Sequence, residues 1–564
     1  MAATALPGCS TPHADEERQR SPGAAPWWLW LLGLGLGAVH LLAHLGAQAT
    51  EAPPALVYVG FVHMVPDHAS YLGFADQARR TGDLALRDPF TTLPQHGRFV
   101  MAFFWLVGLL ARLTAGDVLL AWYLLVPLCS LALVWVLWWL TGLLFQDPGW
   151  RRVAVLLCSL GGGLGWLGKL LSAGLASREV VAFEWNWSLF GAALVPTWTL
   201  AHALLAAAAG LVLQGWTTPD AGPSTRRALL RWLRIPVLLL CAFLVHPYTG
   251  LAGLAIVGTL ALTGCLATNR QRSLLQQLEP LAAVLIAGGF IAVLGLWARG
   301  DDVYRATTGN LFTWTEHYSP VWYPLMYGVP LLLAVLGGHS ALWDPTAWTL
   351  RGVLVWCLVA MALSNMWFLP GVKFQFLVFL PLGLLATQGL RVVVGRWPWL
   401  ATGERRHVLA LGLALGIAGG PLPDALRGII PAPGMRIHVS QPQLDLLAAL
   451  QQLPDGGVLA PPAAAILVPW KASKPVFDGH WFLSPHHERN LDDLRRFYQA
   501  DTPVAWKVEF LARAHVRYLL EDPWSTGSIP SRIGPYAVRE HFRNAFGRVL
   551  ELVVDEGSHE GVQP

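Results

Sequence analysis

Residues Pro66 to Val100 read PDHASYLGFADQARRTGDLALRDPFTTLPQHGRFV. This stretch is crowded with Asp, His and Arg, and apolar runs of membrane-spanning length lie before and after it. Pro66 suits the entry to a helix, where its missing N–H costs nothing. Asp67 then falls in the first turn, where free N–H groups and the helix dipole favour a carboxylate. Ala69, Leu72, Phe74, Ala75 and Ala78 interleave with Asp76, Gln77, Arg79 and Arg80. That pattern predicts an amphipathic helix lying along a membrane surface. Tyr71, four residues after Asp67, shares its face. From the local sequence alone, Asp67 reads equally well as a helix-start residue and as a reactive acid.

The composition sets the class. Of 564 residues, 54 % are hydrophobic and only 13 % charged, with 28 Trp. A soluble domain carries about 25 % charged residues, and the mean hydropathy here is +0.46. The chain is expected to be an α-helical polytopic membrane protein, with the lipid bilayer as its first partner. A net charge of +4 that is dispersed along the chain gives no reason to expect nucleic acid. Of the six cysteines, only Cys9 lies outside an apolar run. No pair has zinc-ligand spacing, so no metal site is expected from them.

Residues 1–25 are polar and end near Arg18 and Arg20, which predicts a cytoplasmic tail. The run from Pro26 to Gly46 is read as a retained first helix rather than a cleaved signal. Apolar runs follow at 99–115, 117–144, 153–172, 198–215, 235–246, 249–267, 280–298, 323–338, 349–367, 374–391 and 407–425. Together they predict about 12 or 13 spans. His246-Pro247-Tyr248 separates two short runs, read either as two helices or as one kinked helix. Three basic loops, at Arg226–Arg234, Arg270–Arg272 and Arg391–Arg406, are placed inside. The first loop (47–98) and everything after 426 are then outside. The early half conflicts with this scheme. Arg151 and Arg152 inside, with Glu179 and Glu184 outside, require an even number of crossings after Asp67, whereas three runs are present. A re-entrant break in 117–144, or a misassigned loop, is the expected remedy.

The character changes from about 428. Val458–Ala460, Ile466–Val468, Val516–Glu521 and Arg548–Val554 are predicted strands. Arg489–Gln499 and Ala505–Ala514 are predicted helices. The alternation predicts a small α/β domain over 428–564, following a transmembrane domain over 26–427.

Several weak motifs occur in a fixed order. The first outer loop carries Asp67-x-x-x-Tyr71, then a short helix ending at Gly82, then Pro89-Phe90-Thr91. His246-Pro247-Tyr248, Lys373-Phe374 and Pro381–Leu385 follow. Val476-Phe477-Asp478-Gly479-His480-Trp481 and Val516–Leu520 lie in the terminal domain. This order resembles polytopic glycosyltransferases of the GT-C fold, along nearly the whole chain. The resemblance implies transfer of a sugar from a polyprenyl-phosphate donor to a lipid, glycan or protein acceptor. It also implies a bacterial inner membrane, with the C-terminal domain extracytoplasmic. It gives Asp67 the role of the first-loop acid, acting as general base on the acceptor or holding it. The helix-start position lowers the pKa of Asp67 and weakens it as a base. His68 stands where some relatives carry a second acid, so the motif does not support a divalent metal, and the cofactor is unknown. Lys373 resembles the basic residue that relatives place near the donor phosphate, and a snorkelling lysine gives an equal account of it. His63 and His68 flank Asp67, and Arg79, Arg80, Arg98 and Arg305 are weaker phosphate candidates. Glu184, Glu316 and His317 lie among aromatic residues that suit sugar stacking, although Trp is also the ordinary interface anchor. His246, within an apolar stretch, is expected to line a cavity. A transporter or flippase is the main competing class, but no repeated half is visible. A GT-C-like scaffold without catalysis is the other. Absence of a P-loop, a dinucleotide fingerprint or a nucleophile elbow removes support for nucleotide and hydrolase chemistry.

Overall fold

In lipid a backbone must satisfy its own hydrogen bonds, so the long apolar runs become helices. The computed structural model describes residues 26–49, 56–60, 65–162, 195–217, 225–267, 274–313, 320–344, 346–369, 371–396, 412, 438–523, 525 and 529–554. Its first half runs α1 (Trp27–Ala49), β1 (Leu56–Tyr58), α2 (Val65–Thr81), β2 (Ala85–Leu86), β3 (Phe99–Val100), α3 (Ala102–Leu113), α4 (Val118–Leu144), α5 (Pro148–Leu160) and α6 (Pro196–Thr217). The bundle continues with α7 (Thr225–Val245), α8 (Pro247–Ala267), α9 (Leu274–Ala298), α10 (Asp302–Thr313), α11 (Tyr323–Trp343), α12 (Trp348–Asn365), α13 (Gly371–Gln375) and α14 (Phe379–Gly395). The C-terminal part holds β4 (His438–Ser440), α15 (Gln441–Gln451), β5 (Val458–Leu459), α16 (Pro462–Ala465), α17 (His487–Phe497), α18 (Val504–Ala514), β6 (Tyr518–Glu521), β7 (Arg532–Ile533), β8 (Tyr536–Arg543) and β9 (Arg548–Val554).

Six helices among the described residues are long and apolar enough to cross a membrane: those at 118–144, 196–216, 247–266, 277–298, 326–343 and 348–365. Shorter apolar helices occur at Trp27–Val39, Leu233–Val245 and Phe379–Gly395. On α9, Leu285, Phe290, Val293 and Leu296 are all exposed, a continuous greasy face that water would not tolerate. The chain is an integral, multi-pass membrane protein.

The run at 99–115 is a correction. It yields α3, a helix of 12 residues, which at about 1.5 Å per residue reaches roughly 18 Å and falls short of a 30 Å hydrocarbon core. Phe103, Phe104, Val107 and Ala111 are buried against protein instead. The neighbouring 117–144 run is one continuous helix of 27 residues, started by Asp117, whose carboxylate accepts from the Leu119 and Leu120 amides. No re-entrant break is needed there. The next run, 153–172, begins within α5, a helix of 13 residues, and its part after 162 lies outside the described residues. The break at His246 gives two separate helices of 21 residues each. A Cβ at Gly250 would fall 2.3 Å from Phe243 Cα, so the tight return of α8 onto α7 needs a glycine there.

The centre of the bundle is α14, whose residues Phe379 to Leu390 are all buried. It crosses α11 backbone to backbone. A Cβ at Gly389 would sit 1.9 Å from the Leu333 carbonyl oxygen, and one at Gly337 would sit 2.0 Å from that of Leu385. Small residues at such a crossing let two helices approach closely. The contact fixes the helix that immediately follows α13, the element that carries Lys373.

A five-stranded sheet, ordered β5-β6-β9-β8-β7, forms the C-terminal part. β5 runs parallel to β6, and the other pairs are antiparallel. The expected strand at 466–468 is absent. Leu467 and Val468 belong instead to a helical turn completed by a π-helical segment, Val468–Ala472. Leu494, Phe497, Phe510, Leu519 and Leu550 make one core of this part. A second core is shared with the first loop: Leu72, Phe74, Phe103 and Trp122 pack with Leu446, Leu447, Val468, Val476 and Leu520. β1 and β4 pair antiparallel and stitch the two regions together.

The expectation that α2 lies on a membrane surface with one face in water is therefore overturned. Nearly every position from His68 to Asp76 is buried, because the π-helical segment covers the side that carries the charges. Asp76 is only 3 % exposed. It accepts from Arg79 at 2.7 and 3.0 Å, from Arg80 at 3.0 Å, and from the Ser473 hydroxyl at 2.7 Å.

Two outcomes follow for stability. Gly389→Val forces a branched side chain into the Leu333 carbonyl, at a cost of about 3 kcal/mol or more. It is expected to lower the melting temperature in detergent sharply, whereas Gly395→Val, with open space around it, leaves it near wild type. Asp76→Ala strands two arginines beneath the C-terminal part. The cost is about 2 kcal/mol, below the roughly 3–5 kcal/mol of a wholly buried pair because both arginines stay partly open. Limited proteolysis is expected to release the C-terminal part from this variant faster than from wild type.

Candidate active site

Asp67 begins α2, in the turn where backbone N–H groups lack intrahelical partners. The Ser70 hydroxyl donates to the Asp67 carbonyl oxygen at 2.7 Å and ties down this turn. One-quarter of the Asp67 side chain remains exposed, which leaves the carboxylate open on one side. On the other side stands His480 from the C-terminal part, with Nε2 3.5 Å from Asp67 Oδ1.

His480 is 2 % exposed. Its Nδ1 accepts from the backbone amides of Phe482 and Leu483, at 3.1 and 3.2 Å. A ring nitrogen that accepts two N–H groups carries no proton, so the neutral ring is protonated at Nε2. His480 Nε2 has no hydrogen-bond partner within ordinary range among the described residues, and the Asp67 carboxylate stands 3.5 Å away. The loop is rigidly built. The Gly479 and His480 amides both donate to Ser484 Oγ at 3.1 Å. Asp478 is buried and pairs with His487 Nδ1 at 3.0 Å. A Cβ at Gly479 would lie 3.1 Å from the Ala465 backbone and 3.2 Å from the Phe90 ring.

Burial pushes the Asp67 carboxyl up. The nearby His480 N–H and the charge of Lys373 outweigh it and hold the group below its ordinary value of 3.8. Asp67 is therefore an ionised carboxylate at neutral pH. The charge of Lys373 also acts on the His246 ring. Lys373, on α13, is thus within electrostatic reach both of Asp67 and of the break that separates α7 from α8. His246 itself is held by the Thr249 hydroxyl at 2.8 Å.

His68 is 8 % exposed, edge-on to Trp122 at 5.6 Å. Tyr71 stacks on Phe104 at 4.9 Å, and burial with the nearby Asp67 and Tyr248 raises its phenol well above 10.0, so it stays protonated. Five of the residues singled out by sequence, Asp67, His68, Tyr71, His246 and Lys373, are thereby drawn to one neighbourhood. Glu184, Glu316, His317 and His63 lie outside the described residues. Arg79 and Arg80 are spent on Asp76, and Arg305 pairs with Asp302. Arg98 lies 4.3 Å over the ring of Trp297.

Two residues join the site that sequence reasoning did not single out. His480 is one, and the Asp-Gly-His run around it was its only signal. Asp88 is the other. Burial raises its carboxyl to about 7 against hydrogen bonds from the Phe90 amide and the Thr307 hydroxyl. Thr307 Oγ1 also lies 3.1 Å from the Leu483 carbonyl oxygen and shares its one proton between the two acceptors, so Asp88 and Thr307 together brace the His480 loop from behind. Among the described residues no three His, Cys, Asp or Glu side chains converge, and the cation acting on Asp67 is Lys373.

No protein-family model and no curated protein matches this sequence. Solved structures do. The archaeal oligosaccharyltransferase AglB from Archaeoglobus fulgidus, in complex with an inhibitory peptide and a dolichol-phosphate, superposes with TM-score 0.51 at 11 % identity, covering 94 % of this chain and 75 % of its own. ArnT from Cupriavidus metallidurans, bound to undecaprenyl phosphate, gives 0.50 at 14 % identity over 93 % of this chain and 98 % of its own. Arabinofuranosyltransferase AftD from Mycobacteria gives 0.55 at 15 % identity over 94 % of this chain, which spans 40 % of AftD's length. At such identities the likeness speaks for architecture alone, and that architecture is the GT-C fold expected from the order of the motifs.

Proposed function

We propose that this chain is a membrane glycosyltransferase that moves a sugar from a polyprenyl-phosphate carrier to an acceptor at the extracytoplasmic face of a bacterial inner membrane. The observation that carries the reading is a half-open, ionised Asp67 at a helix start, within the field of Lys373, inside a GT-C fold. Two of the structural neighbours hold a polyprenyl-type phosphate, dolichol-phosphate or undecaprenyl phosphate, which supports a lipid phosphate as the leaving group. The division into a short cytoplasmic tail, a transmembrane part from residue 26 and an extracytoplasmic part from about 428 belongs to the same proposal.

Each group has a distinct task. Lys373 neutralises the charge that builds on the phosphate as the glycosidic bond breaks. Asp67 accepts a hydrogen bond from the acceptor nucleophile on the opposite face of the sugar, and takes its proton as the new bond forms. That arrangement inverts the anomeric centre. His246 and Tyr71 line the space around these two. Glu184, Glu316 and His317 are proposed to reach it from their loops, among the aromatic residues that suit a sugar ring.

The test is a transfer assay in lipid with a panel of polyprenyl-phosphate sugars. Wild type is expected to release polyprenyl phosphate. Asp67→Asn is expected to lower kcat by about 100-fold or more, the ordinary worth of a positioned base. Equal release by both proteins would take Asp67 out of the mechanism. Lys373→Met is expected to lose about 100-fold in kcat/KM, with undecaprenyl phosphate binding weakened as well. Because the Asp67 carboxyl lies below 3.8, its ionised form is present throughout the neutral range and is lost only as pH falls through that depressed value. The acid limb of kcat/KM due to Asp67 is therefore expected below about pH 4, and an acid limb near 6 would assign the essential base elsewhere.

A further inference from the structure

The C-terminal part does more than cover the site. We propose that His480 is the positioning residue of Asp67: its Nε2–H holds one carboxylate oxygen, fixes the rotamer, and leaves the other oxygen for the acceptor. The inference rests on the reading of Asp67 given above.

Three observations converge on it. His480 is 2 % exposed, so its ring cannot be a solvent-facing side chain that happens to pass Asp67. Its Nδ1 is committed to the amides of Phe482 and Leu483, which forces the proton onto Nε2. That Nε2–H, buried and without another hydrogen-bond partner among the described residues, faces Asp67 Oδ1 at 3.5 Å. A buried donor is costly unless an acceptor meets it, and the acceptor that this one faces is the Asp67 carboxylate. The separation exceeds the usual N–H···O range of about 2.7–3.2 Å. Catalytic contacts are commonly long before substrate arrives and tighten in the complex.

The neighbourhood contains the groups that matter for titration. Asp67 faces His480 from the C-terminal part, Lys373 from α13, and His68 and Tyr71 from its own helix. Phe90 and Trp481 flank the His480 ring at 5.4 and 6.2 Å and bring no charge. Burial raises the Asp67 carboxyl, and of the influences that lower it the nearby His480 N–H is the largest. Removing the donor therefore lets burial raise the Asp67 pKa, while Lys373 stays in place.

A hydrophobic carbodiimide reads this directly, because it modifies a carboxyl group only in its protonated form. The full-length protein in detergent is treated with dicyclohexylcarbodiimide from pH 3 to 8, and adduct at Asp67 is measured by mass spectrometry. His480→Asn keeps an oxygen acceptor for the Phe482 and Leu483 amides but withdraws the donor from Asp67. It is expected to shift the labelling midpoint upward by about one pH unit at an unchanged melting temperature. His480→Gln, which restores a donor at the reach of Nε2, is expected to return the midpoint toward wild type. In the transfer assay His480→Asn is expected to lose about tenfold in kcat with little change in KM for the lipid donor, and His480→Gln to recover part of it.

An unmoved labelling midpoint in a folded His480→Asn protein overturns the proposal. So does an equal loss of kcat in the Asn and Gln variants, which marks His480 as structural only. Full activity of Asp67→Asn would instead sink the functional reading of the site, and the labelling shift would still decide whether His480 governs Asp67.

Discussion

A helix that carries Asp, His and Arg on several faces can be buried only if each charge meets a partner, because an uncompensated ion in a protein interior costs several kcal/mol. α2 is such a helix. Its side toward α3 and α4 is apolar and needs no help: Leu72, Phe74 and Ala75 pack with Phe103 and Trp122. Its charged side is made acceptable by the C-terminal part. Ser473 completes the Asp76–Arg79–Arg80 cluster, and His480 meets Asp67. The terminal sheet and the first loop are consequently one folding unit, with a common core and a common strand pair, β1 with β4.

The second half of the site is delivered by the membrane bundle. α14 is buried from Phe379 to Leu390 and locked to α11 through Gly389 and Gly337. α13 leads into it, so Lys373 inherits a fixed position at the end of a rigid helix. His246 arrives by a different route, at the single residue between α7 and α8. The backbone amide of His246 still bonds to Ala242, and its carbonyl still receives Gly250. The break thus costs no backbone hydrogen bond at that residue while it turns the chain. Site residues therefore come from four rigid supports: a helix start, a short helix leading into α14, a helix-to-helix joint and a braced loop.

Much of this was legible in the sequence, for identifiable reasons. Apolar run length reports spans because hydrocarbon thickness is fixed, and a polar island between such runs marks the water-facing edge where chemistry is possible. That logic singled out Asp67, Tyr71, His246 and Lys373 as candidates, and the structure places them within electrostatic reach of one another. It misread 99–115, because residues buried in protein and residues buried in lipid have the same composition. Phe103, Phe104 and Val107 face α2 and α4 instead of acyl chains. The same ambiguity turned Ile466–Val468 into a strand. The surface assignment of α2 failed because hydrophobic periodicity records which face is apolar and says nothing about what covers the polar one. His480 was invisible for a related reason. Nothing local distinguishes a histidine whose Nδ1 is consumed by its own loop from one that is free, and that distinction gives Nε2 its direction.

The electrostatics of Asp67 also constrain how the proposed reaction proceeds. A carboxylate held below its ordinary pKa is a poor proton acceptor in the ground state, so a mechanism that begins by fully deprotonating the acceptor is unfavourable. Glycosyl transfer does not demand it. Its transition state is oxocarbenium-like, with the bond to the leaving group largely broken before the new bond is made. In that regime the steep part of the barrier is charge separation between sugar and phosphate, which a cation beside the phosphate eases directly. The acceptor proton becomes acidic only late, as its oxygen or nitrogen bonds to carbon, and a weak base then suffices. What Asp67 must supply earlier is alignment and a negative charge facing the cationic sugar. A fixed, ionised, half-open carboxylate supplies both, and a depressed pKa helps by keeping that charge in place until the nucleophile has become a strong acid.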